Sequence, residues 1–288
     1  YATNSEGTSY GAVLTFTTMK ADQTITFGAL ASKTFGDDDF DLTGTASSGL
    51  QVSYTSSNTA VATIAGTTVT IVGSGATNIT ASQSGNANYN AASNVIQGFT
   101  VDKAGQTVTF GALAAKTYGD PDFDLTGTAS SGLTVSYTSS NTAVATISGT
   151  TVTIVSSGAT NITASQSGNA NYNAASNVVQ GFTVDKADQT IFFGTLASKT
   201  NGDPDFDLGG ATSSGLPLSY SSSNTAVATM SGTTLTIVGS GATNITASQA
   251  GNANYNTAAN VVQGFTVIGK PTVSTTAASS IAETSATL

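Results

Sequence analysis

Val52-Ser53-Tyr54-Thr55-Ser56-Ser57-Asn58-Thr59-Ala60-Val61-Ala62-Thr63-Ile64 alternates apolar and polar at Val52 and Tyr54, turns through Ser56-Ser57-Asn58, then resumes at Val61. A period of two marks a strand with one buried face, and small polar residues are what turn one strand into the next. Outward from this stretch the same grammar continues. Upstream, Thr24-Ile25-Thr26-Phe27 places Ile25 and Phe27 on one face, and Phe40 and Leu42 alternate with Asp39 and Asp41. Downstream, a turn at Ala65-Gly66 precedes Thr68-Val69-Thr70-Ile71-Val72, and Gly73-Ser74-Gly75 leads into Thr77-Asn78-Ile79-Thr80-Ala81. After an Asn- and Gly-rich stretch from Gly85 to Asn90, Val95 to Val101 closes the set. Thr, Val and Ile separated by frequent turn signals predict six to eight strands and no helix of consequence, an all-β sandwich.

This text is written three times. Lys20-Ala21-Asp22-Gln23-Thr24 recurs as Lys103-Ala104-Gly105-Gln106-Thr107 and as Lys186-Ala187-Asp188-Gln189-Thr190, at a constant interval of 83 residues. A fixed period of that length is the mark of tandem domains rather than solenoid turns, and it predicts three domains in the 288-residue chain. The first two copies differ at nine positions, so they share one fold. Where copies drift at apolar positions they stay apolar: Ile25 is Val108 and Ile191, Ile64 is Ile147 and Met230, Val69 is Val152 and Leu235. Buried positions tolerate such swaps because volume is nearly kept.

Composition removes several function classes. Charged residues make up 8% of the chain, against roughly 25% in ordinary soluble proteins, and Ser, Thr, Asn and Gly supply solubility instead. Seven Lys and no Arg against 16 acids give a net charge of −9, which disfavours nucleic acid and anionic membrane surfaces. With no His and no Cys, histidine base catalysis, thiol chemistry and disulfides are unavailable, so each domain is held by its core alone. No apolar run approaches the ~18 residues of a membrane span. No signal peptide is visible, and Tyr1 reads like the middle of a longer chain.

The opening stretch, followed by Gly66, Val69 and Gly75-Ala76-Thr77-Asn78-Ile79-Thr80-Ala81, resembles the bacterial Ig-like group 2 pattern in all three copies. Tyr54, Tyr137 and Tyr220 stand where that family usually has Trp. The segment Thr34-Phe35-Gly36-Asp37 through Phe40 is also similar to surface-repeat modules of Bacteroidota. Tyr1 to Thr18 resembles the last two strands of a fibronectin-III-like module, and Lys270 to Leu288 the first two strands of another. The expected organisation is therefore 1–19 as a module end, Ig-like repeats at 20–102, 103–185 and 186–268, and 269–288 as a module start. Linkers of two or three residues leave neighbouring repeats little freedom, which predicts a linear rod. The resemblance implies a stalk in a long secreted cell-surface adhesin, as in gliding or biofilm-forming Bacteroidota with type IX export. The alternatives are a multivalent glycan- or protein-binding module, or a spacer in a large extracellular enzyme. Self-association into filaments is a further expectation, with no catalytic role for this chain.

Candidate sites are few. Asp37, Asp39 and Asp41, with Asp120, Asp122 and Asp124 and then Asp203, Asp205 and Asp207, place carboxylates at alternate positions in each repeat. Oxygen ligands of that kind suit calcium, yet the Gly and bidentate Glu of an EF-hand are missing. The same residues read as a turn leading into a strand with a solvated outer face, which is the preferred reading. Tyr89, Tyr172 and Tyr255 sit in the repeated Gly-Asn-Ala-Asn-Tyr-Asn loop. Each is either a ring offered to a carbohydrate or a cap on the sandwich end. Lys33, Lys116 and Lys199 precede turns and are expected at the surface. Asn78-Ile79-Thr80 and its copies match a glycosylation sequon, as expected by coincidence where Asn and Thr abound.

Overall fold

The computed structural model describes residues 2–4, 7–9, 11–12 and 14–272. The chain gathers into two compact units. The first holds Tyr1–Phe110, Gly127–Ser136 and Ala164–Val178; the second holds Gly111–Thr126, Tyr137–Thr163 and Val179–Leu288. Repeat one therefore lies wholly in the first unit and repeat three wholly in the second, while repeat two is shared.

In the first unit, β1 (Ala2–Asn4) and β2 (Gly7–Ser9) form a small antiparallel hairpin with Thr3 opposite Thr8. Repeat one then contributes β3 (Ile25–Thr26), β4 (Lys33–Thr34), β5 (Phe40–Asp41), β6 (Thr45–Ala46) and β7 (Ser53–Ser56). After these come β8 (Ala62–Ala65), β9 (Thr68–Ile71), β10 (Gly75–Ser82) and β11 (Val95–Asp102). One sheet has the order β4-β11-β10-β7, a second β5-β9-β8, and β3 pairs β6. All pairings are antiparallel except β4 with β11, where Lys33 faces Val101 in parallel. The repeat thus carries nine strands where six to eight are read from its sequence. The strands with no counterpart in that reading are β4 and β6, pairs of residues that lie outside any alternating stretch.

The core lies between these sheets. Ile79 and Ala81 on β10 and Phe99 and Val101 on β11 point inward at alternate positions, and none is more than 2% exposed. They meet Ala62, Val69 and Leu42 from the other side, and the Phe40 and Phe99 rings lie 5.4 Å apart. The aromatic of the opening stretch, Tyr54, is buried against Phe27 at 5.4 Å and donates its hydroxyl to the Gly44 carbonyl at 3.1 Å. A Cβ on Gly44 would stand 2.6 Å from that hydroxyl, so the position has room for hydrogen alone. The hairpin β8–β9 closes with Ala65 opposite Thr68 around Gly66, whose φ of +64° suits the first residue of a two-residue turn.

Repeat two contributes β12 (Val108–Thr109), β13 (Lys116–Thr117), β14 (Phe123–Asp124), β15 (Thr128–Ala129) and β16 (Ser136–Ser139). It continues with β17 (Ala145–Ser148), β18 (Thr151–Ile154), β19 (Gly158–Ser165) and β20 (Val178–Asp185). Of these, β12 and β15 pair within the first unit, and β13–β20 and β14-β18-β17 within the second.

Repeat three, in the second unit, repeats the plan with β21 (Ile191–Phe192), β22 (Lys199–Thr200), β23 (Phe206–Asp207), β24 (Ala211–Thr212) and β25 (Ser219–Ser222). The remaining strands are β26 (Ala228–Ser231), β27 (Thr234–Ile237), β28 (Gly241–Ser248) and β29 (Val261–Ile268). Its sheets are β22-β29-β28-β25, β23-β27-β26 and β21-β24. Phe265, Leu235, Ile245 and Ala228 form its interior. Repeats one and three are each an all-β arrangement of facing sheets, and repeat two contributes the same series of strands. No helix forms among the described residues, so none there is long and apolar enough to cross a membrane.

Among the described residues every buried side-chain nitrogen and oxygen has a partner. Gln23, 6% exposed, shows how: its amide donates to the Asn90 carbonyl at 2.7 Å while its carbonyl accepts from the Ser48 hydroxyl. A buried amide left without such partners would cost about 1–3 kcal/mol. The expected fibronectin-like start at 269–288 falls, from residue 273 on, outside the described residues. Of the expected module end at 1–19, residues 14–20 form no strand, and Leu14 and Phe16 are exposed.

Candidate functional site

The aspartates of each repeat turn to different donors. Thr34-Phe35-Gly36-Asp37 is a tight turn in which Asp37 N–H reaches the Thr34 carbonyl at 3.0 Å, with Gly36 at φ +93°. The Asp37 carboxylate accepts the Thr34 N–H in return at 2.9 Å. Asp39 accepts the Thr70 hydroxyl at 2.7 Å, and Asp41 that of Thr68 at 2.7 Å. Cross-strand pairing of β5 with β9 sets these contacts, because Asp41 lies opposite Thr68 in the register. The same triplet recurs as Asp120 to Thr117 N–H (2.8 Å), Asp122 to Thr153 (2.7 Å) and Asp124 to Thr151 (2.6 Å). In repeat three it is Asp203 to Thr200 N–H (2.8 Å), Asp205 to Thr236 (2.8 Å) and Asp207 to Thr234 (2.6 Å). Among the described residues no three acids gather closely enough to hold one metal ion. The pleat sets Asp39 and Asp41 on one face, each accepting from its own threonine of β9, while the turn draws Asp37 back to the Thr34 N–H.

Lys33, Lys116 and Lys199 are half-buried rather than exposed. Each ammonium lies over a ring of its own repeat: Phe40 at 5.3 Å, Phe123 at 5.3 Å and Phe206 at 5.1 Å. The long stem lets a lysine cover apolar surface beside a turn, and the ring face attracts its charge.

The tyrosine loops are preformed. In repeat two, Asn169 Oδ1 accepts the N–H groups of Asn171 (2.8 Å) and Tyr172 (3.0 Å), and Asn169 N–H reaches the Tyr172 carbonyl at 3.1 Å. Gly168, at φ +75°, begins the loop, and a Cβ there would meet the Tyr172 carbonyl oxygen at 2.3 Å. Asn86 and Asn252 hold Tyr89 and Tyr255 through the same bonds, at 3.0 and 2.9 Å. Each loop also receives the start of its own repeat, with Ala21 bridging to Tyr89, Ala104 to Tyr172 and Ala187 to Tyr255.

Two of these loops hold the preceding repeat. In the first unit, Ser74 N–H donates to Asn171 Oδ1 at 2.9 Å, and the Ser74 hydroxyl donates to the Ala170 carbonyl. The Phe35 ring meets Tyr172 edge-on, with centroids 5.5 Å apart and planes at 81°. Lys103, from the linker, donates to the Asn169 carbonyl at 2.7 Å and so ties the chain to the same loop. In the second unit, Ser157 N–H donates to Asn254 Oδ1 at 2.9 Å, and the Ser156 hydroxyl joins it at 2.7 Å. Tyr118 meets Tyr255 edge-on at 5.5 Å and 83°, and Lys186 donates to the Asn252 carbonyl at 2.7 Å. Tyr172 and Tyr255 are therefore engaged by rings of the repeat before them.

Sequence reading singles out the tyrosines and misses their partners. Ser74 and Asn171 are 97 positions apart, and nothing local in Gly73-Ser74-Gly75 shows more than a turn. The one available sign is that Gln-x-Gly-Asn-Ala-Asn-Tyr-Asn stays nearly constant across the copies, although a solvated loop has no need to.

No family model matches the chain, and no curated protein matches it. Among solved structures it is similar to mouse protocadherin-24 EC1-3, at 13% identity and a TM-score of 0.36 over 91% of this chain and all of that one. It is also similar to Sidekick-1 immunoglobulin domains 1-5, at 11% identity and 0.34 over 86% of this chain and 59% of that one. Drosophila N-cadherin EC1-4 gives 11% identity and 0.29 over 87% and 73%. Likenesses this remote carry no argument about the chain, and its tandem all-β character rests on its own sheets.

Proposed function

We propose that this chain is a stalk segment of a long, secreted bacterial surface adhesin, holding distal domains away from the cell without chemistry of its own. The observation that carries the reading is the repeated joint. The same Asn side chain takes the same Ser N–H at 2.9 Å in both, with a ring pair at 5.5 Å beside it. A linker of two or three residues limits the reach of two domains without by itself fixing the angle between them. A joint with side-chain hydrogen bonds and an aromatic contact restricts that swing, as a spacer requires. Rings already engaged at Tyr172 and Tyr255 weigh against the multivalent glycan reading, which needs them open.

Small-angle scattering from the chain in solution tests the proposal. Sandwiches of roughly 35–40 Å, placed end to end, give about 110–120 Å across residues 20–268. A clover-like particle with a much smaller maximum dimension would sink the stalk reading.

A further inference from the structure

One turn recurs in all three repeats with the same backbone and a different second residue. It is Thr34-Phe35-Gly36-Asp37, Thr117-Tyr118-Gly119-Asp120 and Thr200-Asn201-Gly202-Asp203. Each closes with the Asp N–H on the Thr carbonyl at 3.0 Å, and the three glycines have φ of +93°, +92° and +101°. That backbone calls for glycine and leaves the residue before it open. In repeats one and two this residue is a ring that meets the next repeat. In repeat three it is an asparagine, and it makes the single Asn-Gly step of the sequence.

The reactive atoms of that step are free. Asn201 is exposed, and among the described residues its side-chain amide has no hydrogen-bond partner. Gly202 N–H is likewise unbonded there: the turn uses the Asp203 N–H, and the Asn201 N–H goes to the Ile268 carbonyl at 2.8 Å. A Cβ on Gly202 would meet nothing within 4 Å, so nothing crowds the approach to its nitrogen. Every other asparagine is followed by a residue with a side chain. Several are tied as well, with Asn58 and Asn86 accepting backbone N–H groups and Asn90 donating to Asp22.

We propose that Asn201 is a site of spontaneous covalent modification, in which the Gly202 backbone nitrogen attacks the Asn201 side-chain carbonyl carbon in the folded chain. The nitrogen gives up its proton and bonds to Cγ. The bond from Cγ to Nδ2 breaks, and that nitrogen takes up a proton and leaves as ammonia. A cyclic succinimide remains, which one solvent water then opens. Breaking the new bond at Cγ gives aspartate; breaking the bond at the backbone carbonyl carbon gives isoaspartate, whose main chain is one methylene longer. Nothing is oxidised or reduced, and water is the sole co-reactant. Glycine favours the step twice, because no side chain shields its nitrogen and its backbone rotates readily toward Cγ. Either product sets a new carboxylate two positions from Asp203, on a chain already at −9. The isoaspartyl form also lengthens the turn beside β22, where Lys199 and Thr200 pair with Val267 and Ile268 at the exit of repeat three. The modification therefore ages the end of repeat three, and it is independent of the stalk reading.

Incubating the whole folded chain at mildly alkaline pH and mapping its peptides by mass tests the proposal. Conversion at Asn201 is expected to outpace that at Asn88, exposed but followed by Tyr89, by about tenfold or more. The rate should rise with pH, because the attacking nitrogen must lose its proton, and aspartyl and isoaspartyl peptides should form together. N201Y supplies the residue that repeat two carries in this same turn, and it should abolish the early acidic species seen on anion exchange. Conversion at Asn201 no faster than at Asn88 overturns the proposal, as does conversion that begins only when urea unfolds the chain. An early acidic species that persists in N201Y overturns it too. So does aspartate without isoaspartate, since direct hydrolysis of the amide gives that product alone.

Discussion

The interior of a repeat and the joint between two repeats are held by different means, and the three copies show it. Inside, Ile25, Val108 and Ile191 exchange freely, as do Val69, Val152 and Leu235, because a core asks mainly for apolar volume. At the joint, Asn-Ala-Asn-Tyr is identical in all copies, because a hydrogen bond from Ser74 N–H to Asn171 Oδ1 asks for one atom in one place. The loop itself is the same whether or not it is used. Asn88 in repeat one is exposed and Asn171 in repeat two is half-buried, yet Asn86 and Asn169 hold them through the same bond of 2.8 Å. The loop is therefore shaped by its own bonds, whether its second Asn is exposed or half-buried. On the receiving side the ring does drift: Phe35 and Tyr118 are half-buried in joints, and at the same position in repeat three stands the exposed Asn201.

The largest effect should come from the interior. Phe99→Ala removes a side chain 1% exposed and should cost about 3–5 kcal/mol, read as a fall in the denaturant midpoint. A loss under one kcal/mol would mean that the facing sheets do not form the core described above. Next comes the joint. Asn171→Ala leaves Ser74 N–H without its acceptor and should cost about 1–2 kcal/mol, a figure that excludes the core of either repeat. Its clearest sign is a broader scattering profile with the secondary structure unchanged; an unaltered profile would show that the joint is held by the linker alone.

Tyr118→Asn copies the residue repeat three already has. It should remove about 0.5–1.5 kcal/mol of ring contact with Tyr255 and leave the hydrogen bonds of Asn254 intact. An effect as large as that of Asn171→Ala would reverse the ranking of ring and amide. The smallest effect is expected from calcium. The aspartates are turned to Thr hydroxyls and turn N–H groups, so millimolar calcium and chelator should give the same melting curve. Stabilisation by a bound ion grows as RT ln(1 + [L]/Kd), so a melting temperature climbing with calcium would establish the metal site instead.

How much of this was legible in the sequence depends on how local the cause is. Ile25 and Phe27 face inward as their alternation predicts, and Gly66 marks the β8–β9 turn because a positive φ there favours glycine. Those are effects of neighbours on neighbours. The two-residue strands β4 and β6 were not legible, since Lys33-Thr34 and Thr45-Ala46 carry no period and are recruited by whatever sheet edge lies near. Lys33 looked exposed beside its turn, and only the fold reveals that Phe40 waits beneath its stem. The joint was least legible of all. Asn171 and Ser74 belong to different repeats, and the repetition that made the domains obvious hid the fact that each copy completes its neighbour.

The parallel pairing of β4 with β11 has a mechanical consequence. The chain enters repeat one at Lys20 and leaves at Asp102, and the departing strand is bonded through Phe35 N–H to the Asp102 carbonyl at 2.9 Å. Tension applied between those points pulls two parallel strands lengthwise past one another. Their bonds then share the load in shear rather than opening one by one like a zipper. At the entrance, Ala21 is clasped on both sides, its N–H by the Asn88 carbonyl and its own carbonyl by Asn90 N–H, each at 2.9 Å. Because the Asn171 and Asn254 loops clasp Ala104 and Ala187 in the same way while holding the previous repeat, force passed down the chain reaches each joint and each strand clasp together.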